Sequence, residues 1–150
     1  MSRSCFFLNT IMEITQYVSQ GQNTYLSNGD DMEPILRNCG EITYLECPAE
    51  SLRIASERDA LDVVALCGEH LTERLLLDRD CLDPDFFDLK TGLAGAVLLK
   101  LGTYHIRTAV VLPPERIGSG RFAEFVHETN TGNQFRVFSN VAEAVSWLLR

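Results

Sequence analysis

From Glu41 onward, apolar runs of strand length alternate with longer runs of helical spacing, and this alternation limits the fold more than any other feature of the chain. The clearest strand spans residues 106–112, rich in β-branched side chains and stopped by Pro113 and Pro114. Residues 71–77 carry Leu75, Leu76 and Leu77 in an unbroken run, the pattern of a strand covered on both faces. Residues 41–47 and 134–138 alternate apolar and polar, as half-buried strands do. Between them lie three helical stretches, and a fourth follows the last strand. Ser56 and Asp59 form a capping-box pattern ahead of Leu61, Val64, Ala65 and Gly68. Ser119 stands as a cap before Phe122, Phe125 and Val126, and Asn140 with Glu143 caps a last helix whose stripe is Val141, Ala144, Val145 and Leu148. The order β-α-β-α-β-α-β-α predicts a single α/β domain over residues 41–150, with a mainly parallel sheet and right-handed crossovers.

The third element is the most distinctive. Asp83 is a good N-cap, Pro84 suits the first helical position, and Asp85 and Asp88 place negative charge at the positive end of a helix dipole. Leu93, Ala94, Val97, Leu98 and Leu101 follow, so one buried helix is predicted from about residue 83 to Gly102. Gly92 and Gly95 lie inside that helix and not in a strand-to-helix turn, where backbone N–H groups could cradle a phosphate. With Ala96 they are expected to let a backbone approach closely, so that Gly95→Leu would overpack the contact.

The run Asp85-Phe86-Phe87-Asp88-Leu89-Lys90-Thr91-Gly92-Leu93-Ala94-Gly95 resembles the signature of a bacterial family known as domain of unknown function 4180. The segment from Asp59 to Asp62 and the segment from Phe125 to Gly132 carry the same likeness, which covers roughly residues 42–149. More distantly, a strand, an Asp-Leu-Lys-x-Gly helix and an Ala-Val-Val strand resemble SpoIIAA-like domains, relatives of the STAS regulators. The first likeness implies no activity. The second implies a SpoIIAA-like fold and a regulatory role, but STAS regulators carry a phosphorylatable serine where this chain has Asp83, Pro84 and Asp85. A serine phosphoswitch there is not expected; the aspartates would be a fixed negative charge.

The chain has 150 residues, enough for one domain that buries about two-thirds of its unfolded surface. Its net charge of −8 argues against nucleic acid and anionic membranes, both of which are gripped by Lys and Arg. No stretch approaches the roughly 20 apolar residues of a membrane span. The five cysteines form no C-x-x-C pair and are odd in number, which predicts unpaired thiols in a cytoplasmic protein. Residues 1–40 are expected to be an N-terminal extension. Strands at 14–19 and 24–26 would form a hairpin, turn chemistry follows at 27–30, and a short helix at 31–38 would end at Cys39 and Gly40. The residues before Met12 are expected to precede the true start, and Cys5, Phe6, Phe7 and Leu8 are too short a run for a signal peptide.

The chemistry-bearing residues do not assemble a known motif. His127 and Glu128 begin like a zinc-protease pattern, but no second histidine stands four residues on. His70 and His105 stand alone, and Cys81 is surrounded by Asp78, Asp80 and Asp83, which would raise its thiol pKa. Cys67 is expected in the core. Ser119 lacks a nucleophile elbow. No cofactor, metal or catalytic residue is therefore assigned, and a non-enzymatic regulatory or protein-interaction module is expected, acting on another protein or a second copy of itself. Its candidate functional turn is Asp83, Asp85, Asp88 and Lys90. The rival is a small-molecule or enzymatic site beyond the strand C-termini. It would be lined by Asp78, Asp80, Asp83, Asp85, Glu115, Arg116 and Ser119, with Pro113, Ser139 and Asn140 nearby.

Overall fold

The computed structural model describes residues 33–150. A five-stranded sheet runs in the order β1-β2-β3-β4-β5, each strand beside its neighbour in sequence. The strands are β1 (Ile35–Cys39), β2 (Ile42–Cys47), β3 (Arg74–Asp78), β4 (Arg107–Val111) and β5 (Phe135–Phe138). The last four are mutually parallel, in keeping with the mainly parallel sheet that the alternation predicts; β1 is antiparallel to β2. Helices α1 (Glu57–Glu69), α2 (Leu93–Thr103) and the pair α3 (Pro114–Ile117) and α4 (Arg121–Thr129) connect the parallel strands, and α5 (Val141–Leu148) closes the chain.

The sheet has two unequal faces. On the first, Leu45, Leu75, Leu77, Val110, Phe135 and Val137 pack with α1, α2 and α4 around Ala60, Val63, Val97, Leu101 and Val126. On the second, Tyr44, Leu76 and Ala109 meet Ala144, Trp147 and Leu148 of α5. Leu75, Leu76 and Leu77 are all buried because the sheet is covered on both sides here. Each contributes about 1.5–3 kcal/mol of apolar burial. Two buried hydroxyls are satisfied locally: Thr72 donates to the Thr43 carbonyl at 2.8 Å and Thr108 to that of Ile106 at 3.1 Å.

Several elements depart from the sequence-based expectation. Residues 35–39 form a strand and no helix; β1 and β2 are joined by Gly40 and Glu41, with Gly40 at φ +70°, as tight hairpins require. Almost every β1 residue is exposed, so its sequence carries no periodicity to read. Its register is held by pairing and by Arg37 on Glu46 (3.1 and 2.7 Å). The expected strands at 14–19 and 24–26, the turn at 27–30 and the residues before Met12 lie outside the described residues.

The expected central helix is shorter than its pattern. Residues 79–91 form a staircase of three 3-10 turns, Arg79–Cys81, Pro84–Phe86 and Leu89–Thr91, and α2 starts only at Leu93. Asp78, Asp83 and Asp88, each five residues apart, accept from the N–H two residues on at 3.0, 3.0 and 3.1 Å. Aspartate side chains that bind the backbone this way compete with helix formation. Thr91 secures the last step, donating to the carbonyls of Asp85 (2.6 Å) and Asp88 (2.8 Å). Gly92, at φ +77°, breaks the path into α2.

Ser119 caps nothing: Gly120 takes the cap position of α4 and makes no side-chain bond. The Ser56 cap is present, its oxygen accepting from Asp59 N–H at 3.2 Å while Asp59 accepts from Ala55 N–H at 2.9 Å. The buried stripe of α1 is Ala60, Val63 and Cys67, out of phase with the Leu61, Val64 and Ala65 expected. Leu71 and His105, after α1 and α2, both adopt positive φ and close the helix ends, with Thr72 N–H on the Cys67 carbonyl (3.0 Å) and Ile106 N–H on that of Leu101 (2.8 Å).

Candidate functional site

Open parallel sheets present ligand sites beyond the carboxyl ends of their strands. Here the ends of β2, β3 and β4 are closed by apolar side chains. Ile54 and Leu82 form an isolated parallel bridge past β2 and β3, with Ile54 N–H on the Cys81 carbonyl (2.7 Å) and Asp83 N–H on the Ile54 carbonyl (3.0 Å). Ile54, Cys81, Leu82 and Leu112 are all buried. The Cys81 thiol fills the end of β2, donating toward the carbonyls of Cys47 (3.4 Å) and Pro48 (3.2 Å). Burial pushes its pKa up, the opposite of an activated nucleophile. Burial also raises Cys47, and it pushes Cys67 up to about 12. Cys39, Cys47, Cys67 and Cys81 are free thiols, the last three buried; Cys5 lies outside the described residues.

Asp83 is the best-held carboxylate of the candidate turn. The Asp85 N–H and then the Arg53 guanidinium hold its carboxyl below its ordinary value. Arg53 reaches Asp83 through Nε (3.0 Å) and a terminal nitrogen, fastening the 50s loop to the staircase. Asp85, Asp88 and Lys90 are exposed on the outside of the same steps. On the inside, Phe86 is buried against Phe122 (6.4 Å between centroids) and Phe135 (6.3 Å), and Phe87 meets Phe122 at 5.4 Å. The staircase thus anchors by aromatics and presents its charges outward.

The candidate crevice is dispersed. Asp78 spends its oxygen on Asp80 N–H, and Asp80 lies 3.6 Å from Arg79. Glu115 and Arg116 are exposed on the four-residue α3, and Ser119 follows it in an exposed turn. Among the described residues no ion pair joins the two groups, and no set of three or more His, Cys, Asp or Glu is placed to hold a metal ion. Gly92 and Gly95 are both exposed, and a Cβ built on either meets nothing within 4 Å, so the close approach expected of them is absent.

The second sheet face carries a feature that no local pattern in the sequence marks. Arg107 and Arg136 lie over the Trp147 ring, with Arg74 and Arg150 close to Arg107, beside an open depression of about 410 Å³ lined by Arg136, Phe138, Glu143, Ser146, Trp147 and Arg150. The available signal was an arginine at the inner-face position of three successive strands, in a chain that is acidic overall.

These features define a small α/β domain built on a five-stranded, mostly parallel sheet with helices on both faces. The chain belongs to the family described as Domain of unknown function (DUF4180), whose model matches residues 39–148. No curated protein and no solved structure matches the chain. Among the described residues, no helix is long and apolar enough to cross a membrane.

Proposed function

We propose that this domain is a non-enzymatic regulatory or protein-interaction module whose contact surface is the outer side of the aspartate staircase. The observation that carries this reading is the closed carboxyl edge of the sheet, where Ile54, Cys81, Leu82 and Leu112 occupy the place a substrate would take. Asp85, Asp88 and Lys90 stand outward on a backbone tied down by side-chain bonds from Asp83, Asp88 and Thr91. A surface so pre-ordered loses little conformational freedom when a partner docks. The partner is another protein or a second copy of the chain, and its contact with the staircase is basic or hydrogen-bond-donating. The distant resemblance to SpoIIAA-like regulators points the same way.

The test is cross-linking mass spectrometry in extracts of the native cells, with the full chain compared with an Asp85→Lys, Asp88→Lys double variant. A specific protein, or a second copy, should be linked through the staircase and lost in the variant, while circular dichroism shows both chains folded. A small molecule that raises the melting temperature only when Asp78, Glu115 and Ser119 are intact would overturn the proposal in favour of the edge site.

A further inference from the structure

The arginine group on the second face is built from three strands and the end of α5. Arg74 and Arg107 are direct partners across the β3–β4 pair and share a face with Leu76 and Ala109. Arg136 pairs with Ala109 and stands on the same face. Arg107 places its guanidinium carbon 4.1 Å from the centroid of the Trp147 ring, and Arg136 places its own at 5.4 Å.

The hydrogen bonds that Arg74 and Arg136 make to described residues go to neutral acceptors. Arg74 Nε donates to the Leu148 carbonyl (2.7 Å) and Arg136 Nε to that of Gly132 (2.7 Å), while Arg107 Nη1 donates to the main-chain carboxyl oxygen of Arg150 (3.2 Å). None of the four takes part in the ion pairs of the described residues. Arg107 Nε and Trp147 Nε1 are buried and have no acceptor. Burial and the charges of Arg74, Arg136 and Arg150 push the Arg107 pKa below its ordinary value.

A structural role explains half of this. Cations at a helix C-terminus are favourable, so Arg74 and Arg107 complete the end of α5. It does not explain Arg136 and Arg150, which line the depression with Trp147 and Ser146. Two of the thirteen Lys and Arg residues of a chain with net charge −8 thus line one concave spot, with Arg107 close behind them. Of the residues that line it, Glu143 alone is acidic. A volume of about 410 Å³ suits a small molecule.

We propose that this depression binds a small oxyanion, a phosphate or carboxylate group held by Arg136 and Arg150 against Trp147, with Arg107 behind it. Arginine forks match both groups, and a nearby aromatic ring keeps the guanidinium planes oriented. This site lies on the face opposite α1, α2 and α4 and is independent of the staircase contact.

Trp147 is the single tryptophan of the chain, so its emission reports on the site directly. The full chain is titrated with inorganic phosphate and, separately, with acetate, each at ionic strength matched by sodium chloride, and calorimetry repeats both titrations without the fluorophore. A saturable response to phosphate alone supports a phosphate group, and one to both anions supports the shared oxyanion chemistry. Arg136→Gln and Arg150→Gln should each weaken binding about tenfold, as loss of one charge-assisted hydrogen bond does. Arg79→Gln removes an equal charge away from the depression and should leave binding unchanged. A response no different from that to chloride overturns the proposal. So does an equal loss in all three variants, because that would report only the net charge.

Discussion

A glycine can be required for its backbone angles or for its missing side chain, and Gly92 and Gly95 separate the two. Gly92 sits at φ +77° with open space around it, so a Cβ meets no atom but the backbone is left-handed. Gly92→Ala should cost about 1–2 kcal/mol through that conformation alone. Gly95 lies on the exposed side of α2, with ordinary helical angles and nothing within 4 Å of a Cβ. Gly95→Ala should stabilise the domain by about 0.5–1 kcal/mol, because glycine inside a helix loses more freedom than alanine. Gly95→Leu should be tolerated. Urea unfolding of the three variants checks the order, and a destabilised Gly95→Ala would show that position 95 touches something after all. This reverses the expectation from sequence that Gly95→Leu would overpack a close contact. Small residues in a helix mark a close approach only if another element comes near, and none does.

At the scale of the element, α5 covers the second sheet face with eight residues. Of the expected stripe Val141, Ala144, Val145 and Leu148, Ala144 and Leu148 are fully buried and Val145 packs beside them, but Val141 is half exposed and Trp147, not expected there, is almost fully buried. Trp147→Ala should cost about 3–5 kcal/mol, the usual loss for a large aromatic in a core. Val141→Ala should change stability by less than about 0.5 kcal/mol. Chemical unfolding followed by circular dichroism measures both; equal losses would mean that α5 is rotated from the arrangement described. The staircase offers the converse lesson. Asp83 does cap and Pro84 does take the first position, but of a three-residue 3-10 turn instead of a long helix. The local signals were legible and correct, while the element they open stops after one turn. The next aspartate restarts the backbone before α-helical bonds can propagate.

On the scale of the whole molecule, every strand pairs with its neighbour in sequence, so no sheet contact requires a long excursion. β3 and β4 lie at the centre, paired on both sides and covered by helices, whereas β1 is exposed and, among the described residues, joined only to β2. Amide exchange should therefore be slowest in β3 and β4, at the rate of global unfolding, and much faster in β1. Native-state hydrogen exchange resolves this strand by strand. Protection of β1 equal to that of β4 would require a cover over the edge beyond the described contacts.

The sequence by itself determined the α/β class, a mainly parallel sheet with four strands at near-correct bounds, the buried leucine run and the caps at Ser56 and Asn140. These depend on neighbours within a few residues, and such signals act locally. It also carried the family, because the run from Asp85 to Gly95 is distinctive as written. What tertiary structure alone decided was which face each stripe turned toward, that residues 35–39 became a strand, and that the sheet edge closed. It also set Arg107 and Arg136, far apart in the chain, over one ring, with Arg74 and Arg150 close by. A strand such as β1 is stabilised mainly by a partner it meets only after folding. A charge cluster exists only once separate strands lie in register, and no window of sequence holds either fact.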